Sequence, residues 1–199
     1  INLSLSSDGS ILAVGAPYTK DAQGFDTGGK SYVYKWDGSS WKQLGNTIAG
    51  TVRDNYYSGW DLSLSSDGSI LAIGDVLGIY NKDDNFSFEE LLGSVVVYKW
   101  DGSSWNQLGN TIKGEISFNY IGSTVSLSGD GSTVATIQFN SDLISSVKVY
   151  KWNGSSWIQL GNQIKGESDF FSFSNMYLSS DGSILAVGDD SINEDTGAA

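Results

Sequence analysis

Val33-Tyr34-Lys35-Trp36-Asp37-Gly38-Ser39-Ser40-Trp41 decides the reading of this chain, because it returns unchanged at Val97–Trp105 and with one substitution at Val149–Trp157. Locally it is the end of a strand, a tight turn and the start of the next strand. Val33 and Lys35 alternate with Tyr34 and Trp36, as a half-buried strand requires. Asp-Gly-Ser-Ser supplies residues that tolerate hairpin backbone angles. Trp36 and Trp41 flank the turn and are expected to face each other across the hairpin.

Working outward, a second motif repeats with the first. Ser4–Ala13 reads SLSSDGSILA and recurs unchanged at Ser63–Ala72, then as SLSGDGSTVA at Ser126–Ala135 and LSSDGSILA at Leu178–Ala186. Asp8, Asp67, Asp130 and Asp181 mark the same turn, so the repeat spacing is 59, 63 and 51 residues. Each unit reads as four strands. The first alternates Leu or Val with serine, and a Ser-Asp-Gly turn sends it back. The second, Ile11–Gly15, Ile70–Gly74 and Ile184–Gly188, is almost continuously apolar, which predicts burial on both faces. A variable segment leads to the V-Y-K-W strand, and the last strand reads W-x-Q-L-G-N at Trp41–Asn46, Trp105–Asn110 and Trp157–Asn162. The one helix-like patch is Phe88–Leu92.

Four antiparallel strands per unit, repeated in tandem with aromatics on both faces, predict an all-β fold of propeller blades. A solenoid is the alternative, disfavoured by the tight antiparallel turns. The units are residues 1–59, 60–122 and 123–173, with a partial fourth at 174–199. About 3.5 units do not close a ring of four to eight blades. The expectation is therefore a segment of a longer repeat protein, or two chains completing one ring.

Composition narrows the function. The 199 residues carry 23 acidic and 11 basic groups, a net charge of −12. That charge disfavours nucleic acid and anionic membrane surfaces as partners. No apolar run reaches the roughly 20 residues needed to span a bilayer, so no membrane insertion is expected. The chain has no cysteine and no histidine, which removes disulfides, thiolate ligands and the commonest general base.

The repeats resemble the FG-GAP family, whose repeats build the β-propeller of integrin α-chains and of many secreted or surface microbial proteins. The residues that carry the resemblance are Leu5-Ser6-Ser7-Asp8-Gly9, Val14-Gly15-Ala16-Pro17 and the aromatic strand Tyr32–Trp36. The form is divergent. Gly-Ala-Pro stands only at Gly15–Pro17, and the D-x-D-x-D-G calcium loop of the family is replaced by Ser6-Ser7-Asp8-Gly9. The resemblance implies a propeller and an extracellular or cell-surface location, without the family's calcium cage.

Candidate sites follow from chemistry. The pairs Trp36/Trp41, Trp100/Trp105 and Trp152/Trp157 match the apolar face of a sugar ring, but their identity across units assigns them to packing between blades. The aromatic stretches before each first strand vary and are candidate partner-binding surfaces: Tyr56, Tyr57 and Trp60, then Phe118 and Tyr120, then Phe170 and Phe171. Trp60 is the one tryptophan outside the repeated hairpin. Acidic groups read as loop residues are Asp21, Asp26, Asp75, Asp83, Asp84, Glu89, Glu90, Asp142, Asp189, Asp190, Glu194 and Asp195. Among them Asp83, Asp84 and Asn85 form the best local oxygen cluster for calcium, although Lys82 sits inside it; no cofactor is otherwise expected. Asn2, Asn85 and Asn153 match the N-glycosylation acceptor pattern.

Nothing in the repeats singles out a catalytic pair. The expectation is a non-catalytic extracellular structural or adhesive module, not an enzyme, that contacts another protein, further repeats of the same polypeptide or copies of itself. The alternative is a carbohydrate-binding propeller, with carbohydrate cleavage as a weaker form of it.

Overall fold

The computed structural model describes residues 2–25, 27–50, 56–77, 93–114, 121–139, 144–165 and 173–189. Over these residues the chain forms four antiparallel sheets in series, with no helix. The first contains β1 (Asn2–Leu5), β2 (Ile11–Ala16), β3 (Lys30–Trp36), β4 (Trp41–Gln43) and β5 (Ile48–Ala49). The second contains β6 (Tyr56–Leu64), β7 (Ile70–Leu77), β8 (Ser94–Trp100), β9 (Trp105–Gln107) and β10 (Ile112–Lys113). The third contains β11 (Thr124–Leu127), β12 (Thr133–Phe139), β13 (Ser145–Trp152), β14 (Trp157–Gln159) and β15 (Ile164–Lys165). The fourth pairs β16 (Phe173–Leu178) with β17 (Leu185–Asp189). The helix-like patch at 88–92 lies outside the described residues.

The expected fourth strand is present but divided. In the first sheet β4 and β5 both pair with β3, with Tyr34 opposite Gln43 and Ser31 opposite Ile48. Between them the Leu44 N–H still reaches the Val33 carbonyl at 2.7 Å, and then Gly45 takes φ 77°. That left-handed turn throws Gly45-Asn46 out of the ladder and toward the neighbouring sheet.

The Ser-x-Asp-Gly-Ser turn is held by its own side chains. The Asp8 carboxylate accepts from the Ser10 N–H at 2.9 Å and from the Ser6 hydroxyl at 2.7 Å, while Ser6 Oγ accepts from the Ile11 N–H at 2.9 Å. Asp67, Asp130 and Asp181 repeat this arrangement. Aspartate here is a turn former that consumes its lone pairs locally.

Successive sheets stack face to face around their first strands, β1, β6, β11 and β16. The outer backbone edge of each first strand would be unpaired, and the alternating serines answer it. Ser4 Oγ accepts from the Leu64 N–H at 2.9 Å, Ser63 Oγ from Leu127 at 3.0 Å and Ser126 Oγ from Leu178 at 3.0 Å. The L-S-L-S pattern therefore serves two neighbours: leucine fills the core and serine bonds the next sheet.

Among the second strands, β7 and β12 are buried on both faces, whereas β2 buries alternate residues and β17 is part-buried to exposed. Of the strands it named, the continuous apolar run therefore predicts double burial correctly only for Ile70–Gly74. Leu71 and Ile73 of β7 pack with Ala13, Val33 and Trp105 between the first two sheets. Ala72, between them in sequence, packs with Val95, Val125 and Trp157 between the second and third. A strand of period two sandwiched between sheets buries both of its sides. Filling each layer with side chains such as Leu71 contributes about 1.5–3 kcal/mol per residue.

This stacking gives a test with an internal control. A Cβ on Gly109 (φ 77°) would lie 2.3 Å from the Trp152 ring, whereas a Cβ on Gly161 (φ 68°) meets nothing within 4 Å. Both positions carry the backbone cost of a non-glycine residue at positive φ, about 1–2 kcal/mol. Gly161→Ala is expected to show only that cost in urea denaturation, and Gly109→Ala roughly twice as much or more. Equal losses would show that the ring contact contributes nothing.

Candidate functional site

Each tryptophan pair lies directly opposite across its hairpin, with ring centroids 5.6, 5.6 and 5.4 Å apart for Trp36/Trp41, Trp100/Trp105 and Trp152/Trp157. Two of the pairs are roofed by the L-G-N segment of the preceding sheet. The Trp105 N–H donates to Asn46 Oδ1 at 2.8 Å and its indole N–H to the Leu44 carbonyl at 3.0 Å. Trp157 repeats both bonds with Asn110 and Leu108, at 2.7 and 2.9 Å. Trp105 and Trp157 are each 4% exposed, while Trp36 and Trp41, which have no such roof among the described residues, are 41% and 40% exposed. The same motif is thus core in the second and third sheets and surface in the first.

The acidic candidates separate by environment. Asp8, Asp37 and Asp181 are held down to about 2, chiefly by hydrogen bonds from the serines of their own turns. Asp101 is lowered by the same cause. Such carboxylates stay ionised and internally satisfied. Among the described residues no group of three or more acidic side chains is placed to hold a metal ion. Asp83, Asp84 and Asn85 lie outside the described residues. Asn153 takes the place of Asp37 in its hairpin, its Oδ1 accepting the Ser155 and Ser156 N–H groups at 2.9 and 2.8 Å. The Asn2 side-chain amide donates to the Trp60 carbonyl.

The reading of Asp75 as a loop acid is corrected by the structure: it lies within β7, and the apolar strand carries it into the interior, where it is 7% exposed. Asp189 likewise belongs to a strand, β17. Asp75 stands opposite Ser58 and Ser94 in the ladder. Its Oδ2 has the Ser94 hydroxyl at 3.5 Å, and its Oδ1 has no hydrogen-bond partner. Burial pushes its carboxyl up to about 6, against partial relief from the Ser58 and Ser94 hydroxyls and the Gly59 N–H. Tyr98 is pushed up to about 12, first by burial and then by the Asp75 charge. Ser31, from the first sheet, has a second unpartnered buried oxygen, and it crowds Gly59 so closely that a Cβ there would sit 2.8 Å from its Oγ.

Above this polar spot the repeat pattern breaks on the surface as well. β6 runs from Tyr56 to Leu64, several residues longer than β1 or β11, with an irregularity between Ser58 and Asp61. That irregularity falls at Gly59, where φ is 83°. Tyr57 and Trp60 flank it, and Tyr18 from the first sheet's variable segment meets both. The Tyr18 and Tyr57 rings are 4.9 Å apart and the Tyr18 and Trp60 rings 6.2 Å apart, edge to face. Tyr18 and Trp60 are exposed. Of the predicted aromatic surface, Tyr56 belongs to the same strand, while Phe118, Tyr120, Phe170 and Phe171 lie outside the described residues. Sequence reasoning missed Tyr18. The available signal was its position directly after the single Gly-Ala-Pro, where no other unit carries an aromatic.

Solved structures share this serial sheet architecture. A hydrazine synthase of Kuenenia stuttgartiensis aligns at TM-score 0.53 with 14% identity over 94% of this chain and 43% of that one. A hypothetical selenium-binding protein from Sulfolobus tokodaii aligns at TM-score 0.55 with 13% identity, over 90% and 44%. The fold is a partial β-propeller. This chain spans less than half the length of either structure. No protein-family profile matches it, and no curated protein does.

The expectation of a non-catalytic structural or adhesive module, and of no enzymatic activity, is corrected here: the hydrazine synthase shares the fold, so a row of such sheets is no argument against an enzyme. The similar structures include a periplasmic gluconolactonase of Pseudomonas aeruginosa, at TM-score 0.43 with 17% identity over 94% of this chain and 64% of that one. Two putative 6-phosphogluconolactonases of Bacteroides stand beside it. The faulty step was the inference from repetition to inertness. Blades repeat because each must pack on its neighbours, and a reactive group on one of them leaves that packing unchanged.

Asp75 makes stability depend on pH in a defined direction. A carboxyl whose folded value exceeds its unfolded value favours folding while protonated, so its contribution is complete below about 4 and is lost as pH rises through about 6. Asp75→Asn removes that dependence. The variant is expected to gain stability relative to the parent between pH 4 and 7, by up to about 3 kcal/mol for a two-unit shift. Urea melts of both proteins at pH 4, 5.5 and 7.5 check it; a constant difference across that range would show that Asp75 does not titrate there.

Proposed function

We propose that this chain is part of a carbohydrate-binding propeller whose binding face is the Tyr18–Tyr57–Trp60 cluster. The supporting observation is an exposed aromatic group that breaks the repeat, built from two neighbouring sheets at the longest of the described first strands. An aromatic face matches the apolar C–H face of a pyranose, and two rings set at an angle contact a sugar from two sides. The tryptophans that recur in every unit are committed to hairpin pairing, whereas Trp60 is free of that duty. The surplus of negative charge suits a neutral or cationic glycan better than a phosphorylated one.

The finer kinship, to FG-GAP repeats in a divergent form, belongs to this reading. It rests on the Ser-x-Asp-Gly turn, the Gly15-Ala16-Pro17 element and the aromatic third strand. An extracellular or cell-surface location follows from the same resemblance.

Glycan-array binding followed by calorimetry on the best ligand tests the proposal. Trp60→Ala and Tyr18→Ala are expected to lower affinity at least tenfold, and Trp36→Ala to leave it unchanged. Circular dichroism establishes that each variant keeps its sheets. Glycan binding that survives both cluster substitutions, or none by the folded parent chain to neutral and cationic glycans, would overturn the reading.

A further inference from the structure

The third tryptophan hairpin differs from its two sisters by one group, an amide in place of a carboxylate. Asp37-Gly38-Ser39-Ser40 and Asp101-Gly102-Ser103-Ser104 turn the hairpins of the first and second sheets, and Asn153-Gly154-Ser155-Ser156 turns that of the third. Asn153 is the one asparagine of the chain that is followed by glycine. Its turn is held as theirs are. Asn153 Oδ1 accepts the Ser155 and Ser156 N–H groups at 2.9 and 2.8 Å and lies 3.1 and 3.5 Å from their hydroxyls. Asp37 Oδ1 accepts the Ser39 and Ser40 N–H groups at 2.8 Å each, and Asp101 Oδ1 those of Ser103 and Ser104 at 2.7 and 2.8 Å.

This turn is open to water. Asn153, Gly154 and Ser155 are exposed. Asp101, Gly102 and Ser103 are exposed too, in the second sheet, which has a neighbouring sheet on either side, so the exposure belongs to the hairpin itself. Gly154 has φ 100°, and a Cβ built on it would meet nothing within 4 Å. Its backbone nitrogen is therefore shielded neither by a side chain of its own nor by a neighbour's. Bonding of that nitrogen to Asn153 Cγ closes a five-membered ring. As the bond forms, negative charge gathers on Oδ1, where two N–H groups already point.

We propose that Asn153 is a site of spontaneous deamidation and that its turn delivers α-aspartate rather than isoaspartate. The Gly154 nitrogen gives its proton to hydroxide and bonds to Cγ; the Cγ–Nδ2 bond breaks, and the amide leaves as ammonia with a proton from water. The cyclic imide then takes up one water. Addition at Cγ breaks the Cγ–N bond and restores the peptide with a carboxylate on the side chain, whereas addition at the main-chain carbonyl carbon leaves the chain linked through Cγ. In sum, amide and water give carboxylate and ammonium. The first product is the residue that the other two hairpins already hold. The Ser155 and Ser156 donors fit it as their counterparts fit Asp37 and Asp101, and they bind a charged acceptor more strongly. The second product adds a methylene to the backbone of a turn that must keep Trp152 opposite Trp157. Conversion adds one negative charge to the net −12 of the chain.

The experiment ages the full chain, made in a bacterial host so that no glycan occupies Asn153, at mildly alkaline pH beside the same chain in urea. Peptide mapping by mass spectrometry follows every asparagine, and isoaspartyl methyltransferase counts isoaspartate. In the folded chain Asn153 is expected to convert at least tenfold faster than any other asparagine and to give mostly α-aspartate; in urea isoaspartate is expected to dominate. Gly154→Ala is expected to slow the conversion at least tenfold, because its methyl group shields the nitrogen, and circular dichroism checks that its sheets persist. Asn153→Asp, the product made directly, keeps glycine in the turn and is expected to match or exceed the urea midpoint of the parent. Asn153 still intact in the folded chain when it has been consumed in urea would overturn the proposal. Isoaspartate as the main product of the folded chain, or a lower midpoint for Asn153→Asp, would overturn it as well.

Discussion

The joint between successive sheets depends on two hydrogen bonds to one tryptophan. Asn46 and Leu44 receive both N–H groups of Trp105, and Asn110 and Leu108 receive both of Trp157. An indole N–H buried without an acceptor costs about 1–3 kcal/mol, so the ring is secure inside only where the preceding sheet provides those oxygens. To provide them the fourth strand must leave its ladder for a few residues, which is why it is split into two pieces. The exit needs a left-handed residue with no side chain, since the facing indole occupies the space a Cβ would take. Glycine meets both demands at once. The hairpin pairing then holds the first tryptophan of each pair against that same glycine, so all six residues of W-x-Q-L-G-N and its partner strand answer to one contact.

Serine performs the complementary role near the first strands. A strand at the rim of a sheet exposes N–H groups that invite pairing with other chains. Ser4, Ser63 and Ser126 each accept one such N–H from the next sheet, and backbone bonds from Ser7 to Ser66, Ser66 to Gly129 and Asp130 to Ser180 continue the seam. The later sheet donates to the serine hydroxyls, and the earlier sheet donates the backbone bonds. The second and third sheets are therefore each joined to their predecessor twice, by serine hydroxyls at the first strand and by the L-G-N segment at the tryptophan hairpin. Among the described residues the indoles of the first sheet have no such cover.

Much of this was legible because the repeat displays each rule several times. Strand order, both turns and the doubly buried second strand follow from residues 3–15 and their copies, where periodicity and turn chemistry agree. The hairpins that carry the tryptophan pairs were readable for the same reason, although the first pair lies at the surface. The acid at Asp75 was not, because a carboxylate after Gly74 reads locally as the first residue of an acidic loop; the strand extends beyond it only since β6 is long enough to pair as far as Leu77. Tyr18 was equally hidden. Its contact with Tyr57 and Trp60 joins positions about forty residues apart, and no periodic pattern marks a pairing that happens once. The step from repetition to absence of catalysis failed for a related reason, since periodicity reports on packing and is silent about a group that occurs on one blade.

The two departures from the repeat are physically linked. Gly59, whose positive φ recurs at Gly122, lies between them: the register of β6 shifts there, Trp60 follows it beside Tyr18, and its N–H bonds the Asp75 carboxylate. Ser31 presses on the same residue from the neighbouring sheet. A change in the charge of Asp75 alters how strongly the Gly59 N–H is held, because a carboxylate accepts that bond far better than a carboxyl does. The same glycine therefore touches both the buried carboxyl and the strand that carries Trp60. Exposed rings and a buried carboxyl thus share the longest of the first strands, and every other sheet lacks at least one of these parts among the described residues.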